Sequence, residues 1–218
     1  MLHTFFFLRM ITDTKIVDRA SLQKVLTILH ETYSVPNVVI SSIPMTEWLW
    51  DPTLTNAHTA FCEQEATLLC LASIRAPGTV RTGPPSTVYA ACVPLVAGYF
   101  SGVGDLFSAL VLGHYSLSLS SSPSADSLPP LAHAVSLALT KTHAILRSTE
   151  RHATSLPPGE HTVTDNELDE VDPERRIRRM RARELRLVQG RKILSGEAIG
   201  ELRELRKWED FWRSDDKI

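Results

Sequence analysis

Val96-Ala97-Gly98-Tyr99-Phe100-Ser101-Gly102-Val103-Gly104-Asp105-Leu106-Phe107-Ser108-Ala109-Leu110-Val111-Leu112 is the stretch on which the reading of this chain turns. An apolar strand leads into it, an apolar helix leads out, and Gly102-Val103-Gly104-Asp105 sits at the joint. Glycines at a helix start let backbone N–H groups approach an anion without a Cβ in the way. The positive end of the helix dipole favours negative charge at the same place. An Asp in the first turn caps the helix or takes a proton from an attacking hydroxyl. Alone, the four residues read first as a plain capped turn. The surrounding sequence shifts the reading toward an anion site with a base.

Working outward, residues 88–113 carry Asp105 as their only charge. A span that apolar invites comparison with a membrane helix, but Pro94, Gly98, Gly102 and Gly104 interrupt it, and a buried strand followed by a buried helix fits better. The chain has 218 residues and is 43% hydrophobic, enough for one domain with a real core. A net charge of −2 gives no global bias toward nucleic acid or an anionic membrane. Cys62, Cys70 and Cys92 lack metal-ligand spacing and read as reduced core thiols of a cytoplasmic protein. His30, His58, His114, His133, His143, His152 and His161 show no paired metal spacing either, so no metal ligands are assigned. The apolar start, Met1 to Met10, has no basic lead and no small-residue cleavage site, unlike a secretory signal.

The remaining pattern is that of an α/β protein. Residues 18–33 place Leu22, Val25, Leu26, Leu29 and Tyr33 on one helical face. Val38-Val39-Ile40 follows as a short buried strand. Residues 66–74 and 86–96 read as two more strands, able to pair as a loose hairpin. The helix after Gly104 is apolar all round and is expected to be buried. Residues 116–130, rich in Ser and Pro, read as a mobile surface loop, and 131–151 as a helix. Six acids between Asp165 and Glu174 are followed by six arginines from Arg175 to Arg183, which cancel and read as a solvated helix face. Glu184-Leu185-Arg186-Leu187-Val188-Gln189 alternates like an edge strand. Residues 197–212 space Ile199, Leu202, Leu205 and Trp208 like a terminal helix. Trp48 and Trp50, near Ser41, read as loop packing.

Four blocks, in order, resemble the pyridoxal kinase family of the ribokinase-like superfamily, fungal type. Thr12-Asp13-Thr14-Lys15-Ile16 is similar to its L-(S/T)-G-x-K-I, Val38-Val39-Ile40-Ser41-Ser42 to its V-V-I-T-S, and Tyr99 to Leu110 to its F-x-G-T-G-D-L-F-A-A. Glu184 to Gln189 is similar to its E-L-R-(L/M)-V-Q. The resemblance implies a ribokinase-like three-layer α/β sandwich that transfers phosphate from Mg²⁺-ATP to the 5′-hydroxyl of pyridoxal, pyridoxine or pyridoxamine. It implies Asp105 as the base that receives the hydroxyl proton. The backbone N–H groups of Gly102, Val103 and Gly104 become the anion hole. Ser41 and Ser42, at a strand's carboxyl end, are implied near the ATP phosphates and ribose, and Val96 and Phe100 in the nucleotide pocket. A hydroxymethylpyrimidine or sugar kinase of the same superfamily is the nearest alternative.

The chain also departs from that pattern. Val103 stands where many members carry Thr, and Asp13 where they carry Gly. The family's N-x-x-E-x-x motif falls on Phe5-Phe6-Phe7-Leu8-Arg9-Met10, which has no acid. The expected organisation is an atypical stretch 1–10, a C-terminal kinase part 11–194 with a charged insertion 160–183, and a terminal helix 195–218. The chain then lacks the family's N-terminal half, and its parallel central sheet is incomplete. Expected partners are a pyridoxal-type substrate and a second copy or a full-length kinase, with neither nucleic acid nor membrane. A non-catalytic subunit that pairs with a full-length kinase is the alternative function.

Overall fold

The structure, a computed structural model, describes residues 3–49, 66–75, 83–98, 100–119, 128–156 and 170–213. Trp50, His58, Cys62, Tyr99, His161, the centre of the Ser/Pro stretch and the first acids of the charged run lie outside the described residues. The first helix, α1, spans His3–Thr12 and ends at Asp13, whose φ of +48° is left-handed. That is a conformation glycine favours and Asp tolerates, so the Gly-to-Asp departure keeps the turn. Helix α2, Arg19–Glu31, starts at a reciprocal cap. The Asp18 carboxylate accepts the Ser21 N–H at 2.7 Å, and the Ser21 hydroxyl accepts the Asp18 N–H at 3.0 Å.

Strands β1 (Asn37–Pro44), β2 (Thr67–Ile74), β3 (Thr87–Pro94) and β4 (Arg206–Lys207) form one sheet in that order. Every pairing is antiparallel, which corrects the expected parallel sheet. β2 and β3 pair without interruption from Thr67↔Pro94 to Ile74↔Thr87, so the loose hairpin read from sequence is a fully registered one. From β1 to β2 and from β2 to β3 the described residues hold no α-helix of the kind a parallel crossover needs, and these strands reverse direction; β4 joins β3 antiparallel only after the chain has passed through all the later helices.

Helices cover both faces of the sheet. On one face Ile40, Leu71 and Ala90 pack against Leu22, Val25 and Leu26 of α2. On the other, Cys70, Ala72 and Ala91 meet Val135 and Ala138 of α4, Pro130–Ser155. The side chains here are small on both partners, which lets α4 lie close to the sheet. Helix α3, Val103–Leu119, packs along α4 and reaches the same sheet face, with Phe107 in that cluster and the Tyr115 hydroxyl accepting from the Asn37 amide of β1 at 3.2 Å. The expectation that α3 is buried all round is corrected: Phe107 is buried, while Leu112 is 68% exposed. No described helix is long and apolar enough to cross a membrane.

The arginine run forms helix α5, Pro173–Ala182, with Arg176 and Arg181 exposed and Arg178 bridging to Asp172 and Glu174. Glu184 to Gln189 is not an edge strand. Only Glu184 bridges, parallel, to Ser101, and the rest turns into the five-residue helix α6, Arg191–Ser195. The terminal helix expected over 197–212 is also absent; the chain there runs extended through β4 and then turns. Three α4 hydroxyls hold the C-terminal segments. Thr149 Oγ1 accepts the Arg186 N–H, Thr140 Oγ1 the Arg203 N–H, and Ser136 Oγ the Leu205 N–H, at 3.2, 2.9 and 2.9 Å. Each hydroxyl also donates to a carbonyl one turn back in α4, so none is left unpaired. Phe211 and Trp208 then close the α2 face of the core, with the Arg19 guanidinium over both rings.

Candidate functional site

The glycine stretch lies where β3 hands over to α3. Strand hydrogen bonding extends one step past β3, from the Leu95 N–H to the Ala66 carbonyl at 2.8 Å. The chain then bends at Gly98 (φ +113°) and at Gly102 (φ +79°), both left-handed positions suited to glycine. Gly102 is the residue before the helix. The first amide of the stretch to bond within the helix is that of Leu106, which donates to the Gly102 carbonyl at 3.0 Å. The N–H groups of Val103, Gly104 and Asp105 therefore have no partner within the helix. Gly102, Gly104 and Asp105 are exposed, and a Cβ added at Gly104 would meet nothing within 4 Å. Unbonded donors, a positive helix end and free space above it suit a phosphate.

Asp105, the third residue of α3, places an exposed carboxylate in the same first turn. No group of three or more His, Cys, Asp or Glu side chains able to hold a metal ion occurs among the described residues. These residues do not by themselves form a Mg²⁺ site, and no step below is routed through that ion.

The other residues singled out from sequence fare differently. Ser41 and Ser42 do not follow the strand. They lie inside β1, in the irregularity between Ile40 and Ile43, half-buried with their hydroxyls 3.4 Å apart. The sheet places them toward the end from which β3 leads to Gly102, with β2 between. Val96 is buried at 6% exposure, so it supports the loop from beneath. Phe100 is half-buried, and the Arg183 guanidinium lies 5.6 Å from its ring centre.

Arg183 is the residue the sequence reading passed over, counting it with the solvated arginines. Its guanidinium donates to the Ala97 carbonyl at 3.3 Å and fills the space where a Cβ at Gly98 would stand. Directly after it, Glu184 bridges to Ser101, and Leu185 lies beside Gly102. The Glu184–Gln189 block and the glycine stretch, 80 residues apart, thus form one unit. The adjacency of Arg183 to that block was the available signal.

A second polar cluster looks catalytic and is not. His30, fully buried, has Nδ1 2.7 Å from the Val35 carbonyl and Nε2 2.7 Å from the Ser73 hydroxyl, which in turn meets the Ser86 hydroxyl. A carbonyl only accepts, so Nδ1 carries the hydrogen and Nε2 of the neutral ring accepts from Ser73. Burial lowers the His30 pKa, with the Val35 carbonyl opposing it. Sealed from solvent, this chain of hydroxyls ties α2 to β2.

No protein-family model matches the chain, and no curated protein sequence matches it. Solved structures do. Pyridoxal kinase from Leishmania donovani in complex with ADP superposes with a TM-score of 0.57 at 20% identity, over 93% of this chain and 50% of that one. The same enzyme in complex with ADP and pyridoxamine gives 0.56 at 20% identity, over 93% and 49%. Pyridoxal kinase from Trypanosoma brucei gives 0.52 at 16% identity, over 93% and 50%. This chain therefore has the fold of about half of a pyridoxal kinase, and it spans about half the length of those proteins.

Proposed function

We propose that this chain is the nucleotide-binding, base-bearing part of an ATP-dependent kinase of the pyridoxal kinase type, within a ribokinase-like fold. The observation that carries the reading is the open start of α3: free N–H groups, glycine at φ +79° and an exposed carboxylate within one turn. The solved neighbours, crystallised with ADP and with pyridoxamine or pyridoxine, support it. In this reading the N–H groups of Gly102, Val103 and Gly104 hold the transferring phosphoryl group. Asp105 takes the proton from the vitamin's 5′-hydroxyl while that oxygen attacks the γ-phosphorus, the bond to the β–γ bridging oxygen breaks, and ADP leaves. Positioning and charge stabilisation supply most of such catalysis.

A second reading is favoured by β1, which pairs with β2 alone among the described residues. In it the chain is a non-catalytic subunit that associates with a full-length kinase. A thermal melt with and without ATP tests the nucleotide site, since a ligand of the native state at 100 times its Kd adds about 2.7 kcal/mol. We expect ATP to raise the Tm of wild type and of Asp105→Ala alike, because the base does not hold the nucleotide. No rise at millimolar ATP would overturn the nucleotide reading. On pyridoxal, we expect no pyridoxal phosphate above a buffer blank from this chain alone; robust product would leave the catalytic reading standing and remove the non-catalytic one.

A further inference from the structure

The geometry points to Arg183 as a positioning residue that clamps Ala97, Gly98 and Phe100 of the glycine loop together and so fixes the direction of the free N–H groups at the start of α3. Its guanidinium reaches that loop in three ways. It donates to the Ala97 carbonyl at 3.3 Å, stacks 5.6 Å from the centre of the Phe100 ring, and occupies the space that only a glycine at position 98 leaves open. A planar, always-charged group with several donors can hold a carbonyl and an aromatic face together; a lysine ammonium cannot. The φ of +113° at Gly98 gives that glycine a second reason to be there, so its loss would disturb both the bend and the clamp.

The clamp is anchored at its other end. Glu184 bridges to Ser101, the Arg186 N–H donates to Thr149 on α4, and Gly190 packs against Ile145 of the same helix. Arg183 therefore connects the glycine loop to the longest helix of the molecule through fewer than ten residues of chain. Residues 98 and 102 are both left-handed glycines, whose backbone has the widest freedom to lose, so a loop built this way needs an external hold to keep one conformation.

The assignment deepens the nucleotide reading and rests on it for its functional consequence alone. The test is the full-length 218-residue chain as wild type, Arg183→Lys and Arg183→Ala. Backbone ¹⁵N order parameters at Gly98, Ser101, Gly102 and Gly104 are measured without nucleotide, and ADP affinity by calorimetry. We expect wild-type values near the rigid level of about 0.85, falling below about 0.6 in both variants, with residues 131–153 of α4 unchanged. ADP affinity falls about tenfold in both, the lysine giving no rescue. Unchanged order parameters at the four loop residues would overturn the clamp. So would full rescue by lysine, which would reduce Arg183 to a surface charge, and so would a loss of order throughout the chain, which would make it a general structural residue. If wild type binds no ADP while the loop loosens in the variants, the clamp stands and the nucleotide reading fails.

Discussion

Replacing His30 by Ala removes a fully buried ring that bridges two secondary-structure elements. Ser73 keeps its partner Ser86, so one group, the Val35 carbonyl, loses its side-chain donor. An acceptor left unpaired in the half-buried setting of Val35 costs about 1 kcal/mol, and with the packing lost around the buried ring we expect about 2–4 kcal/mol in all. At about 2–4 °C per kcal/mol for a chain of this size, the Tm at pH 8 drops by about 4–16 °C. The pH dependence supplies a second handle. Desolvation holds the folded-state pKa of His30 below its ordinary value of 6.5, with Arg75 acting the same way and the Val35 carbonyl and Glu31 opposing. The unfolded chain therefore binds the proton first, and the stability His30 contributes is complete above about pH 6.5 and is lost as pH falls from there through the folded pKa. His143, lowered to about 4, and His114 act in the same direction but are common to both proteins and cancel in the comparison. The gap in stability between wild type and His30→Ala, followed by urea denaturation from pH 8 to pH 5, should narrow on acidification. A constant gap, or a variant that melts with wild type at pH 8, would refute the neutral, doubly hydrogen-bonded histidine.

Two further outcomes follow from single positions. Gly102→Ala places a Cβ only 3.9 Å from Leu185 Cδ1, an ordinary contact, so its cost is that of φ +79° alone, about 1–2 kcal/mol. Scanning fluorimetry should show a modest fall in Tm with the ATP-induced rise reduced; an unchanged melt would mean the left-handed turn is not held. Burial pushes the Cys70 thiol up to about 12, and Cys92 is buried on the neighbouring strand, on the other face of the sheet. Peptide mass spectrometry after iodoacetamide at pH 8 should find both unmodified in the folded chain and alkylated in denaturant, whereas early labelling of Cys70 would show that the central hairpin opens.

What the sequence made legible was local. The α2 pattern of Leu22, Val25, Leu26 and Leu29 defined one face, and all four are buried. The two strands of the central hairpin were legible as apolar runs with turn residues between them. The glycine joint announced the start of α3 because φ above zero and an unbonded helix end both select glycine. Pairing partners distant in sequence were not legible. Ile199, Leu202, Leu205 and Trp208 recur every three residues, which reads as helical. Their segment is extended because its N–H groups are taken by Thr140, Ser136 and the Val88 carbonyl instead. Tertiary hydrogen bonds there outweigh local periodicity. The same holds at the site, where Arg183 looked like one more solvated arginine until the fold set it against a glycine 85 positions earlier.

The aromatic plug at residues 208–211 has a consequence for synthesis. Arg19 and Gln23 both donate to the Phe211 carbonyl, contacts that close over 192 and 188 positions of chain. A nascent chain emerging in order can cover Leu22, Val25 and Leu26 of α2 once β1 to β3 have emerged, but the part of the core closed by Trp208 and Phe211 stays open until those residues follow. The interval between the emergence of the hairpin and that of Phe211 is then a period of exposed apolar surface, open to aggregation and chaperone capture. A premature stop anywhere upstream of Trp208 would leave that surface uncovered.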